Sequence, residues 1–314
     1  MRILFWGTPA FSLPALRAVL GEGHEVVGVV TQPDRPAGRG HALTPPPVKK
    51  LAQEEALLVL QPERARGPDF VARIKELEPD LSVVVAFGQI LRREVIDVPR
   101  LGTINVHASL LPELRGAAPI QWSIIRGHEQ TGVTIMRIVE ALDAGPMIYR
   151  VTEPIGPEET ARDLAVRVAE LGAEALVEAL ALLEAEAAHE EPQDDARATF
   201  APRFTRDDAH IDFGLSAVEV DRWIRGLDDV PGAWAQLGEE DVKLFRPRPH
   251  PDRAHDAAPG MVLAAEAEDA TTGILVACGT GAVCIREVKP AGKRRMTAAD
   301  WVRGRGIAVG DRLL

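Results

Sequence analysis

Through the first 150 residues, short apolar runs alternate with amphipathic stretches, and this alternation constrains the fold more than any other feature of the chain. Residues 2–6 and 25–30 read as strands, and the stretch between them, 10–21, as a helix ending at Gly21 and Gly23. The pattern repeats with a helix near 48–56, a strand at 57–60, a helix near 68–77 and strands at 81–86 and 101–107. Strands separated by helices require right-handed crossovers, which predicts an N-terminal Rossmann-like, mostly parallel sheet with flanking helices. Such sheets bind ligands beyond the carboxyl ends of their strands, where His107 falls. Gly7-Thr8-Pro9 lacks the glycine spacing of a dinucleotide fingerprint, so a nucleotide site at the first turn is not expected.

The pattern changes in the second half. Residues 157–188, rich in Ala, Leu and Glu, read as one long helix or two stacked ones, and 189–205 as a polar linker. After a helix near 216–226 come short apolar runs broken by Gly and Pro: 232–237, 242–246, 260–265, 273–278 and 282–288. They predict a small, OB-like β-barrel over 206–314, behind an α/β domain over 1–188. No run approaches the roughly 20 apolar residues of a membrane span, and Met1-Arg2 leads into only four apolar residues, so a cytoplasmic protein without signal peptide is expected.

Two cysteines, Cys278 and Cys284, are expected to be reduced core thiols, and no metal-ligand spacing occurs. The net charge of −11 argues against a general nucleic-acid binder. Locally the balance reverses: residues 286–305 carry seven Lys/Arg against two Asp/Glu, enough for a phosphate-binding face.

The densest chemistry lies in 105–116, Asn-Val-His-Ala-Ser-Leu-Leu-Pro-Glu-Leu-Arg-Gly. In a strand, Asn105 and His107 point to the same face. Asn105 is the only asparagine in the chain, which marks its amide as hard to replace. An amide donor beside an imidazole suits acyl transfer, with Asp143 as the candidate carboxylate. The residues alone leave plainer readings open: a structural strand histidine, and an Asx-turn at Asp143.

Longer motifs carry a resemblance: GTPAFSLPAL at 7–16, TQPDRPAGRG at 31–40, INVHASLLPELRGAAPIQW at 104–122, TGVTIMRIVEALDAGPM at 131–147 and KPAGKRRM at 289–296. With these motifs the chain resembles the 10-formyltetrahydrofolate-dependent formyltransferase family, in its branch acting on methionyl-tRNA. The resemblance implies direct attack of the α-amine of methionyl-initiator tRNA on the formyl carbon, for translation initiation. It implies Asn105, His107 and Asp143 as the catalytic set, with no metal. It places 10-formyltetrahydrofolate along Ser109, Leu110, Leu111 and Pro112 and near Phe87, Gly88, Gln89 and Ile90. It assigns tRNA binding to Arg39 in the loop 32–47 and to Lys289, Lys293, Arg294 and Arg295, with Arg303 and Arg305 beside them. A monomer without a membrane partner is expected. The chain departs from the family at His41-Ala42, where basic residues are common, and at Asp228-Asp229, where two acids would weaken attraction to RNA. The alternatives are a formyltransferase for a small amine, either a ribonucleotide or an amino sugar, and a non-catalytic tRNA- or folate-binding protein.

Overall fold

The computed structural model describes residues 1–37, 42–265 and 273–314, and it divides into two compact units. The first comprises Met1–Pro119, Gln130–Pro154 and Ala165–Ala201. Its strands are β1 (Arg2–Gly7), β2 (Glu25–Val30), β3 (Arg35–Ala37), β4 (Ala42–Thr44), β5 (Val59–Leu60), β6 (Leu81–Val85), β7 (Thr103–His107), β8 (Gln130–Arg137) and β9 (Met147–Pro154). The sheet order is β5-β2-β1-β6-β7-β8-β9, with β3 and β4 forming a separate ladder. The strands from β5 to β7 are parallel; β8 and β9 add an antiparallel edge. Chain order reverses between β1 and β6, which opens a crevice beyond their carboxyl ends.

All five residues of β6 are buried, as in a strand covered on both faces. Trp6 on β1 is fully buried, donates Nε1–H to Ser82 Oγ at 3.1 Å, and meets the Phe70 and Phe87 rings edge-on. The helices up to residue 184 are α1 (Leu13–Gly21), α2 (Pro47–Glu54), α3 (Pro68–Lys75), α4 (Arg93–Ile96), α5 (Pro119–Ile125) and α6 (Ala161–Glu184), of which α5 from Ile120 on and α6 up to Leu164 are counted with the second unit. A proline in the first turn of each of the first three supplies a preset φ where its missing N–H costs nothing. The run 157–188 forms one helix, begun by reciprocal hydrogen bonds between Thr160 and Asp163.

The second unit comprises Ile120–Glu129, Ile155–Leu164 and Pro202–Leu314. It contains α7 (Ala217–Gly226), β10 (Trp234–Leu237), β11 (Glu240–His250), β12 (Val262–Ala265), β13 (Ile274–Ala277), β14 (Ala282–Pro290), β15 (Met296–Thr297) and α8 (Ala298–Arg303). The antiparallel order is β10-β11-β14-β13-β12, with β15 on β14. Leu313 pairs with Leu237 and Arg312 with Met261, so the chain end ties the two sheet edges together. Ala217, Val220 and Ile224 of α7 pack with Val242, Leu244, Val276 and Ile285 in the core. A Ser216–Glu219 capping box starts α7. The architecture is the anticipated pairing of a Rossmann-like sheet with a small barrel.

Two segments are more ordered than anticipated. The loop 32–47, read as irregular, carries the β3–β4 ladder, with Arg35 opposite Thr44. The segment read as a linker is hydrogen-bonded along the first unit: Glu191 pairs with Met147, and Ala201 N–H donates to Arg115 O at 2.7 Å. Its polarity reflects hydrogen bonding to irregular backbone, a demand invisible to hydrophobic periodicity. Among the described residues, no helix is long and apolar enough to cross a membrane, and no group of His, Cys, Asp and Glu could hold a metal.

Candidate active site

Parallel pairing with β6 and antiparallel pairing with β8 hold β7 so that Asn105 lies opposite Val84 and Met136. The Asn105 side chain is half-buried and makes no hydrogen bond to another described residue. His107, two residues on, is buried, and its Nε2 lies 3.0 Å from Leu114 O. A carbonyl can only accept, so Nε2 carries a proton and Nδ1 is the open ring nitrogen. Leu114 aims that carbonyl from a left-handed conformation (φ 60°), held by Thr199 Oγ1 at 2.9 Å from its N–H. Nδ1 stands 3.8 Å from Asp143 Oδ2.

Asp143 lies in the β8–β9 connection with φ 47°. Its Oδ2 accepts the Gly116 N–H at 2.8 Å. Gly145 lets the connection fold back on β8: a Cβ there would stand 1.9 Å from Arg137 O. Sequence reasoning missed the groups behind this connection. Gln193 Nε2 donates to Asp143 O and Gly145 O, each at 2.8 Å. Gln193 Oε1 accepts from Arg115 Nε at 2.9 Å and Nη2 at 2.8 Å, and Arg115 also pairs with Asp195. The one available signal was Arg115: an arginine between Leu114 and Gly116 in a buried motif requires a polar partner.

The residues assigned to folate differ in character. Ser109 is buried; its Oγ donates to Glu113 O at 2.6 Å and its carbonyl accepts from Thr134 Oγ1 at 2.7 Å. Leu111 packs with Met136 and Met147 ahead of a cis Leu111–Pro112 bond, and Leu110 is half-buried. The Phe87 side chain belongs to the core, and its carbonyl accepts from Thr8 Oγ1 at 2.9 Å and Gln32 Nε2 at 3.3 Å, across the β1–β6 crevice. The following N–H groups, of Gly88, Gln89 and Ile90, meet no acceptor among the described residues. Gly88 has φ 90°, and Ile90 is exposed. The Gln89 side chain is committed to Ala65 N–H and Glu63 O.

In the second unit Lys289, Lys293 and Arg294 are exposed, and no described residue pairs with them. Arg295 is different: it pairs with Glu287 and Asp228 and lies 4.0 Å above the Phe245 ring. Asp228 is buried, and that burial raises its pKa, so only Asp229 of the two acids reaches the surface, where it pairs with Arg162. Arg39 and His41 lie outside the described residues; Arg303 pairs with Asp300, and Arg305 is exposed.

A buried imidazole facing a carboxylate, near an amide that no described residue pairs, at the carboxyl end of β7, is an arrangement able to serve acyl transfer. Residues 1–180 match the family model described as formyl transferase, and residues 203–306 that of formyl transferase, C-terminal domain. The chain belongs to the formyl transferase family of enzymes. Within it, full-length similarity runs to the methionyl-tRNA formyltransferases: that of Halorhodospira halophila is 49% identical over 310 residues, 99% of this chain and 98% of that protein. Among solved structures, an N-formyltransferase from Helicobacter canadensis in complex with folinic acid and dTDP-3-aminofucose superposes with TM-score 0.68 at 15% identity, over 94% of this chain and 100% of that one. HypX from Aquifex aeolicus in complex with tetrahydrofolic acid gives 0.66 at 21% identity, over 96% of this chain and 47% of that one. These two likenesses concern the fold.

Proposed function

We propose that the enzyme transfers the formyl group of 10-formyltetrahydrofolate to the α-amine of methionyl-initiator tRNA, supplying translation initiation. The observation that carries this reading is the unpaired Asn105 amide beside His107 Nδ1 and Asp143. Full-length likeness to methionyl-tRNA formyltransferases favours this amine over a nucleotide-linked amino sugar. Residues 1–188 would carry the chemistry, 189–205 connect, and 206–314 bind tRNA with Lys289, Lys293 and Arg294 and the loop holding Arg39.

The neutral amine attacks the formyl carbon and a tetrahedral intermediate forms. Asn105 donates to the former carbonyl oxygen, and a protonated Nδ1 of His107 is the second donor. The amine then loses one proton to Asp143, directly or through water, the bond from carbon to N10 breaks, and N10 takes up that proton from Asp143, which returns to the carboxylate. Atoms and charge balance without a covalent enzyme intermediate. The free N–H groups of Gly88, Gln89 and Ile90 offer three donors to the carbonyl edge of a pterin, and the Leu110–Pro112 backbone lines the same end of the sheet. The HypX and Helicobacter canadensis structures hold folates on this fold, which supports the co-substrate.

The test is transfer of labelled formyl to methionyl-initiator tRNA, with methionyl-elongator tRNA and small amines in parallel. Labelled initiator tRNA supports the reading. A labelled small amine with unlabelled tRNA overturns it and keeps the catalytic set.

A further inference from the structure

Asp143 sits in the left-handed region at φ 47°, which few non-glycine residues adopt, although Asp enters it more readily than most. Such a conformation persists where the surroundings hold it. The groups that hold it form a closed circuit. Gly116 N–H binds the carboxylate, while Gln193 binds the backbone on either side of Ala144 through both of its N–H groups. Gln193 Oε1 is saturated in turn by Arg115, the residue before Gly116. The amide therefore uses its full capacity, two donors and two acceptor sites. Its orientation is the one in which nitrogen meets carbonyls and oxygen meets a guanidinium. Arg115 is itself buried and anchored by Asp195.

We propose that Gln193 is a positioning residue for the formyl-transfer reaction: it sets the distance between Asp143 and His107 by clamping the 143–145 backbone to Arg115. The inference rests on the reading of Asp143 as the proton acceptor. Only an amide completes the circuit. A glutamate at 193 keeps the shape and the partnership with Arg115 but donates nothing to the two carbonyls, which would then face a carboxylate. The 3.8 Å separation leaves the pair short of a hydrogen bond, so a small displacement of the connection changes where the carboxylate stands beside His107 to take the amine proton.

Three variants of the full chain test this: Gln193→Glu, Asp143→Asn and the double variant, each measured for kcat, for KM toward methionyl-tRNA and 10-formyltetrahydrofolate, and by 15N NMR of the His107 ring at fixed pH. Gln193→Glu is expected to lower kcat by about 10- to 100-fold with both KM values within about twofold of the parent. It should add no further loss in the Asp143→Asn background, because both changes remove one interaction. The His107 Nδ1 signal should move in Gln193→Glu in the direction seen in Asp143→Asn. Additive losses, or a parent-like Nδ1 signal in Gln193→Glu, would overturn the proposal. If Gln193→Glu does not fold, Gln193→Ala in the same cycle gives the same reading. A parent enzyme that formylates no amine would instead overturn the reaction, and the Nδ1 signal would still decide whether Gln193 places Asp143.

Discussion

Asp143 Oδ2 is hydrogen-bonded to the Gly116 N–H at 2.8 Å and stands 3.8 Å from His107 Nδ1, so the backbone and not the histidine holds the carboxylate. The imidazole is fixed independently, through Nε2 on Leu114 O. The carboxylate and the imidazole, proposed to act side by side, are thus held apart by separate anchors, both in the segment 114–116. Substrate entry can close the gap without rebuilding the site.

Asn105 has no partner for its amide among the described residues, so its removal orphans none of their buried groups. Asn105→Ala is expected to lower kcat by roughly 10²–10³, the usual cost of one oxyanion donor, while the thermal midpoint changes little. Steady-state formylation beside a thermal melt checks this. Parent-like turnover in the folded variant would remove Asn105 from the mechanism.

The basic residues of the second unit should separate by their pairing. Lys293→Ala with Arg294→Ala is expected to weaken tRNA binding and reduce the slope of log K against log salt by about 2, since two phosphate contacts are lost. The melting temperature should be unchanged. Arg295→Ala, which strips Asp228 and Glu287 of their cation, is expected to lower the melting temperature. Filter binding across a salt series and a melt of each variant measure both effects.

Asp221 and Arg225 form a buried pair at 2.8 Å within α7, and burial raises the Asp221 pKa. Arg225 also donates to Glu159 O. Arg225→Met leaves the carboxyl buried without its cation and is expected to cost about 3–5 kcal/mol in urea unfolding. Asp221→Leu combined with Arg225→Met should recover most of that loss.

Hydrogen bonds from Gln61 and then Lys49 hold Asp34 below its ordinary value near 3.8. A carboxyl with a depressed folded pKa contributes stability above its unfolded value, and loses that contribution as pH falls through the folded one. Urea unfolding is therefore expected to show Asp34→Asn less stable than the parent at pH 6. The difference should shrink steadily below about pH 4. A constant difference down to pH 2 would contradict the assignment.

Burial pushes the Cys278 thiol up to about 12, so roughly one molecule in 10⁴ carries the thiolate at pH 8. Iodoacetamide at pH 8 is expected to leave Cys278 unlabelled in the native protein and to label it in urea, read by peptide mass spectrometry.

Much of this architecture was legible from residue order. Periodicity of two in Thr103–His107 placed Asn105 and His107 on one face, and burial of Leu81–Val85 followed from five consecutive residues without a charge. The Ala/Leu run became one helix, with Thr160 as its start. Less of the site was legible. Asp143 lies 36 positions beyond His107 in a connection without periodicity, so the residues offered it only as a candidate beside the plainer reading of an Asx-turn, and resemblance to a family weighted it. Gln193 sits in a stretch whose composition reads as a solvated connector, because hydrogen bonding to irregular backbone leaves no repeating pattern.

What the sequence by itself determined is the class of fold, and it nominated the candidate reactive groups, since burial periodicity and side-chain chemistry are properties of neighbouring residues. The tertiary structure alone decided which nitrogen of His107 is open, how far Asp143 stands from it, and what holds that distance. Those depend on the bond between His107 and Leu114 across a turn of the chain and on bonds from Gly116 and Gln193 to residues 27 and 50 positions away, and a directional bond between such groups exists only once the backbone has brought them together.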